Sequence, residues 1–459
     1  MSKVFTGIVN TYEKYGYDMD FIVNNPDRID IDETYIDGKV TETHRVDGKP
    51  LFKYIRTDDG EEWIEDVKKE ETIMVLSSKH GDVIVYAKTV EPEAISQIVQ
   101  VANSPLGENA HIRIMPDCHA GAGCVIGTTM KITDKVCPNL VGVDIGCGVD
   151  LINTDIDFGS RLEELDNVIR EYIPFGTTTH DDERPWAFED LRCWEYLDKD
   201  TKNRAMKALG SLGGGNHFIE AYDHGWLSVH SGSRNIGLRV AQYYQKLAEK
   251  RIKECAHDNV MMNLKNVEPR LREKWLTDFK IYINKDLCYL MDQDMNDYLH
   301  DIEIMQRFAV DNRQAMLNWI TTAMDGKILG RISSTHNYID TRNMILRKGA
   351  ISAEKGEYLV IPLNMRDGLL ICKGKGNPEW NCSAPHGAGR LYSRSEAKEL
   401  FTVEEYAAEM DGIFSTCINE STLDEAPFAY KDYKEIMECV EPTVEIVERL
   451  IPIFNFKAN

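Results

Sequence analysis

The 11 cysteines of this 459-residue chain include no Cys-x-x-Cys pair and no closely spaced set. They run singly from Cys118 to Cys439, which argues against a disulfide scaffold and for a reducing compartment. No apolar run approaches the roughly 20 residues needed to cross a bilayer. The first ten residues, Met-Ser-Lys-Val-Phe-Thr-Gly-Ile-Val-Asn, lack an apolar signal core. A soluble, cytoplasmic protein is the expectation. Basic residues are also scarce: 53 Lys and Arg stand against 76 Asp and Glu, a formal net charge of -23. That balance excludes a protein that coats nucleic acid with its whole surface, because phosphate contacts need local Lys and Arg. A basic cleft on an acidic body is compatible with it.

The length allows more than one core, or one large unit with insertions. Residues 1–70 are rich in Asp, Glu, Tyr and Thr, with turn signals at Asn24-Asn-Pro, Asp37-Gly, Asp47-Gly and Asp59-Gly. Short runs between them (Thr34-Tyr-Ile, Leu51-Phe-Lys-Tyr-Ile) predict an acidic, strand-rich appendage. From Thr72 paired strands are expected around His80-Gly-Asp, then a helix opening at Pro92. The stretch from about 236 to 326 is poor in glycine and has helical spacing, so it reads as a helical insertion into a catalytic domain spanning 71–459.

The organising stretch is Val141-Gly-Val-Asp144-Ile-Gly-Cys147-Gly-Val-Asp150. Val141 to Ile145 reads as a buried strand that breaks at a glycine-rich turn, presenting a carboxylate and a thiol together. Such a pair suits one metal ion or two, since a thiolate can bridge cations. A buried cysteine in a tight turn, with Asp144 capping backbone amides, is the bland alternative. Three histidines in similar settings shift the balance toward metal: His217 in Gly-Gly-Gly-Asn216-His217-Phe-Ile-Glu220, His230 in His-Ser-Gly-Ser-Arg234, and His336 before Asn337. Upstream, Asp117 and His119 sit in a polar turn between two strands, where orienting a ligand is the expected role.

Between Arg342 and Lys398 there are ten basic residues against five acidic ones, interleaved with glycines, which predicts a phosphate-handling surface. Its sharpest element is Asn381-Cys-Ser-Ala-Pro-His386-Gly-Ala-Gly-Arg390-Leu-Tyr-Ser-Arg394, with the two arginines expected on one helix face. A neutral His386 imidazole can attack phosphorus and form a phosphoramidate. It can equally serve as a further metal ligand, and spacing alone leaves both readings open.

Taken together, GVDIGCG, GGGNHFIE, HSGSR, His336-Asn337 and HGAGR resemble, in order, the RtcB family of RNA ligases, from about Thr72 to the C-terminus. The resemblance implies an α+β (mixed α/β) fold with glycine-rich strand-end loops around a central metal cleft. It also implies GTP-dependent joining of an RNA 3'-phosphate or 2',3'-cyclic phosphate end to a 5'-hydroxyl end, in RNA repair or tRNA splicing. In that pattern Cys147 bridges two Mn2+ ions, one completed by His230 and His336, the other by Asp144 and His217. His386 carries GMP covalently. Asn216, Phe218, Glu220, Asn337, Pro362, Asn364, Met365, Gly387, Ala388, Gly389, Tyr430 and Lys457 line the nucleotide pocket. Asp117, His119, Arg234, Arg390 and Arg394 contact RNA phosphates or support the site.

By softness alone a thiolate and imidazole set favours Zn2+, so Mn2+ rests on the resemblance. The chain reads Pro362-Leu-Asn-Met-Arg-Asp-Gly where many members have Pro-Gly-Ser-Met-Gly, and ends Lys457-Ala-Asn rather than Lys-Gly. These departures suggest a divergent bacterial or phage-type branch. Two other classes stay open: a binuclear metal phosphodiesterase acting on cyclic phosphate ends, and a non-catalytic RNA-binding regulator. The oligomeric state and any activating protein partner are not readable from the sequence.

Overall fold

The computed structural model describes Tyr12, Asn24 and residues 28–36, 39–46, 49–58, 62–66, 73–121, 123–272 and 283–457. It divides into two units, Met1–Ile73 and Met74–Asn459. In the first, Ile29–Ile36, Lys39–Val46, Lys49–Thr57 and Glu62–Asp66 form an antiparallel meander. A small core holds it, with His44 stacked on Phe52 at 4.4 Å. The predicted Asp-Gly turns at 37, 47 and 59 lie outside the described residues, as does the Pro26 side of the Asn24 turn.

The second unit mixes helices with four sheets. One sheet positions the site. Its strands run Ile328–Thr335, Gly148–Thr154, Trp226–Ser231, Phe218–Tyr222 and Pro452–Lys457, each antiparallel to its neighbour. Directly paired residues project to the same face, so Ser334, Val149, His230, Phe218 and Lys457 make one row across it. Gly148 lies beside both Thr335 and Ser231 in the adjacent register, so residues 147, 230 and 336 gather at one sheet end. A Cβ on Gly148 would come 2.4 Å from the Ser334 carbonyl oxygen, so the close strand approach requires glycine there.

A second sheet orders Asn337–Asp340, Ile345–Lys348, Ile126–Lys131, Arg113–His119, Gly81–Val85 and Met74–Ser78. The two strands expected around His80 pair as a hairpin, and the helix opening at Pro92 runs to Asn103. Ala350–Ser352 pairs with Ser383–Pro385, which delivers the chain to His386.

Residues 236–326 contain most of two 32-residue helices, Arg234–Lys265 and Asp292–Ala323. The second packs on the back of the site sheet, burying Met316, Leu317 and Ile320 with Ile152, Leu227 and Val229. Its fully buried Arg313 donates to Asp150 Oδ1 at 2.7 Å, Gly146 O at 2.8 Å and Ser231 O at 3.0 Å. One guanidinium therefore ties the glycine-rich turn to two strands.

The expected strand at Val141–Ile145 is absent. Gly142 and Gly146 take φ of +98° and +73°, which breaks an extended run, and the strand begins only at Gly148. Val141 and Ile145 are buried while Val143 between them is exposed, so the apolar letters mark a folded turn. Among the described residues no helix is long and apolar enough to cross a membrane.

Candidate active site

The organising turn and three histidine-bearing segments converge. Cys147 Sγ lies 3.4 Å from His217 Nε2 and 3.3 Å from His230 Nε2; His230 Nε2 lies 3.4 Å from His336 Nε2, and Asp144 Oδ2 3.1 Å from His217 Nε2. The Nδ1–H groups of His217 and His230 donate to Leu212 O and Asn216 O at 2.8 and 2.9 Å. Both Nε2 atoms are therefore lone-pair acceptors, and the single proton of a Cys147 thiol can satisfy only one of them. Three buried electron-pair donors crowded in this way fit a divalent cation, and carbonyl-oriented imidazoles are the usual arrangement around one.

The electrostatics agree. Burial pushes His230 and His336 well below the ordinary histidine range, reinforced by neighbouring imidazoles, so both rings are neutral and keep a lone pair. Burial and the Asp144 charge hold the Cys147 thiol well above its ordinary value, so thiolate formation calls for a cation. Burial would raise Asp144 too, but its contact with the His217 ring and the nearby Arg234 outweigh it and hold the carboxyl below its ordinary value.

The cluster borders two cavities. His230 and His336 face one of about 820 Å³, which also receives His386. Asp144 and His217 face one of about 240 Å³, shared with Arg234 and Arg204. Arg234 is spent partly on structure, donating to Ser211 Oγ and Gly176 O at 3.0 Å each.

His386 is set by Asp117, whose Oδ2 accepts from the ring Nδ1–H at 2.7 Å and from the His386 backbone N–H at 3.2 Å. The carboxylate is fully buried, and it fixes the tautomer in which Nε2 keeps its lone pair. The ring centroid sits 4.9 Å from that of His336. A Cβ at Gly349 would lie 3.1 Å from His386 Cε1, so that glycine leaves room for the ring. Asp117 was expected to orient a ligand near Asp144; it orients His386 instead. His119 donates from Nδ1 to Asp117 O at 3.0 Å and lines the larger cavity.

That cavity is also lined by Asn216, Phe218, Glu220, Tyr430 and Lys457, with Asn216 O and the Phe218 ring against His230. Gly387, Ala388 and Gly389, next to His386 in the chain, line it too, as do Pro362, Asn364 and Met365. Asn364 is spent inside its own turn, giving and taking hydrogen bonds with Asp367 at 2.7 and 2.8 Å. Asn337 lies apart from the cavity lining; its Oδ1 accepts from Gly349 N–H at 3.0 Å and braces the turn after His336.

The predicted phosphate-handling surface does not form as one patch. Arg347 is fully buried, Arg366 pairs with Asp367 and Glu409, and Lys375 with Glu441. Arg390 and Arg394 do line the cavity, but not from one helix face. The helix starts at Arg394, and Arg390 precedes it in a bridge to Tyr430. Both reach Glu425, a residue on the Leu423–Glu425 turn that no spacing argument singled out. Arg204, Asn455 and Glu425 are the site residues that sequence reasoning missed.

Glu220 accepts from Tyr222 OH and Asn455 Nδ2, each at 2.7 Å. Burial nonetheless lifts its carboxyl from the ordinary 4.5 to about 7, outweighing those bonds and Lys457. A raised carboxyl favours the folded state below its unfolded value, and that advantage is lost as pH rises through about 7. Denaturation at pH 4.5 and 7.5 should show this loss in the parent and not in Glu220→Gln, a difference on the order of 3 kcal/mol. Equal pH slopes in the two proteins would contradict it.

Residues 97–458 match the family described as tRNA-splicing ligase RtcB. The chain is 32% identical over 424 residues to the RNA-splicing ligase RtcB of Escherichia coli K12, covering 82% of this chain and 97% of that one. It is 27% identical over 443 residues to the tRNA-splicing ligase RtcB of Nanoarchaeum equitans, covering 76% and 88%. A second Escherichia coli protein, RNA-splicing ligase RtcB2, is 26% identical over 412 residues, covering 80% and 93%.

Proposed function

The chain belongs to the RtcB family, and on that premise we propose that it is an RNA ligase that carries GMP on His386. It joins an RNA 3'-phosphate, or a 2',3'-cyclic phosphate first opened by water, to a 5'-hydroxyl. The observation that carries the reading is the Asp117–His386 pair beside the thiolate and imidazole cluster. A phosphodiesterase needs such a cluster but has no use for an imidazole whose tautomer is locked for nucleophilic attack.

In the first step His386 Nε2 attacks the α-phosphorus of GTP; the N–P bond forms, the bond to the bridging oxygen breaks, and pyrophosphate leaves. No proton need leave the ring, because Nδ1–H stays on Asp117 and the carboxylate balances the imidazolium. Next an oxygen of the RNA 3'-phosphate attacks the same phosphorus and the N–P bond breaks. Finally the 5'-hydroxyl oxygen attacks the 3'-phosphorus, GMP departs, and the hydroxyl proton passes to solvent. Glu220 and Lys457, both in the cavity lining, present an acceptor and a donor, the complement of guanine N1–H and O6. Arg390 and Arg394 on one side, and Arg204 and Arg234 on the other, hold RNA phosphates.

Cys147, His230, His336, Asp144 and His217 would hold two divalent cations, Mn2+ by family resemblance, which supply charge neutralisation and orientation at the phosphates. The 11 free cysteines suit a reducing compartment, and the cytoplasm is the proposed location.

The test uses the full chain with GTP, Mn2+ and two labelled RNAs, one ending in 2',3'-cyclic phosphate and one beginning with a 5'-hydroxyl. A joined product that requires GTP is expected. Cyclic phosphate opened with no nucleotide uptake would replace the reading with the phosphodiesterase. RNA bound and left unchanged would replace it with the regulator.

A further inference from the structure

Glu425 is 2% exposed, accepts three hydrogen bonds and forms a further ion pair with Arg394. Oε1 takes Arg390 Nη1 and Arg394 Nη2, each at 3.2 Å. Oε2 takes Tyr430 OH at 2.5 Å and Lys457 Nζ at 3.0 Å. The four partners come from the segment after His386, the start of its helix, the Tyr430 segment and the last strand of the site sheet. One oxygen thus faces the two arginines and the other the lysine, and all three cations line the same cavity.

Lys457 is 3% exposed and lines the cavity, yet Glu425 is its only hydrogen-bond partner among the described residues. Two of its three N–H bonds are left for a ligand, and the carboxylate decides where they point. Burial would raise Glu425, but Lys457, Arg394, Arg390 and Tyr430 outweigh it and hold the carboxyl at about 2, so the charge persists at any working pH.

We infer that Glu425 is a positioning residue for nucleotide choice: it aims Lys457 at the base and, through its other oxygen, ties that aim to the arginines that hold phosphate. The inference rests on the proposed nucleotide-transfer reading. Removing the charge while keeping the shape leaves three cations around a neutral amide. Their mutual repulsion then turns Lys457 away from its present direction.

The experiment follows formation of the nucleotide adduct by intact mass, with GTP and with ATP, in the parent, E425Q, E425D and K457Q. In E425Q the KM for GTP should rise, and the preference for GTP over ATP should fall, each on the order of tenfold. The limiting rate should change much less. E425D, which keeps the charge, should recover most of the preference. Because Glu425 acts through Lys457, the E425Q/K457Q double variant should show the same preference as K457Q alone. That double variant removes both halves of a buried pair, so it keeps the test open if E425Q does not fold. Parental preference in E425Q, or a double variant with less preference than K457Q, overturns the inference. A lowered melting temperature and limiting rate with the preference unmoved also overturns it, since that is a structural role alone. Absence of any adduct in the parent would instead overturn the nucleotide-transfer reading.

Discussion

His386→Ala takes up no GMP. Incubated with GTP and Mn2+, the parent chain should gain the mass of one GMP, and the variant should keep its own mass. The expected loss is at least about a thousandfold in adduct formation, since a covalent nucleophile has no substitute when its atom is gone. His386 is only partly buried, so trimming it to Ala leaves a small gap at the cavity wall and no unpaired charge other than Asp117, to which solvent then has access. Fold and metal uptake should therefore survive, which separates lost chemistry from lost structure. RNA already bearing an activated 3'-end should still be joined by the variant, because the final displacement does not involve this imidazole. A GMP adduct on the variant would move the nucleophile elsewhere.

Cys147→Ala should weaken Mn2+ binding by about a hundredfold or more, because losing a direct ligand exceeds the 10- to 100-fold typical of the partners behind one. The sulfur is the common neighbour of His217 and His230, so its removal affects both halves of the ligand set. Titration calorimetry reads this directly, without any turnover. The same titration with Zn2+ should show an even larger loss, since the thiolate is the soft ligand of the set. Unchanged affinity for either ion would mean that Cys147 is a buried thiol and no more.

The candidate ligands were legible because each lies within two residues of a glycine or serine, a local signal that survives without knowing the fold. Their convergence was not, because it depends on strand register: Gly148 beside Thr335 and Ser231 is a fact about pairs 83 and more residues apart. The Val141–Ile145 segment misled for the opposite reason. Its apolar letters were counted, while two left-handed glycines decided the backbone. Asp117 and His386 are 269 residues apart, and Glu425 sits in an acidic turn like many others, so no spacing rule links either to its partner. Charge counting over 342–398 failed because seven of those ten cations, Arg347, Lys348, Arg366, Lys375, Arg390, Arg394 and Lys398, are buried or paired with carboxylates.

The row of paired residues across the site sheet has a consequence for the proposed nucleotide site. His230 and Lys457 are separated by Phe218 alone, two strand spacings or about 10 Å between backbones. Hydrogen-bonded strands cannot drift in that dimension, so the span that the proposal gives to the nucleotide, from purine edge to α-phosphorus, would be gauged by the backbone itself. Sliding the last strand by one residue would turn Lys457 to the opposite side and present Phe456, blinding that gauge while leaving every candidate metal ligand in place.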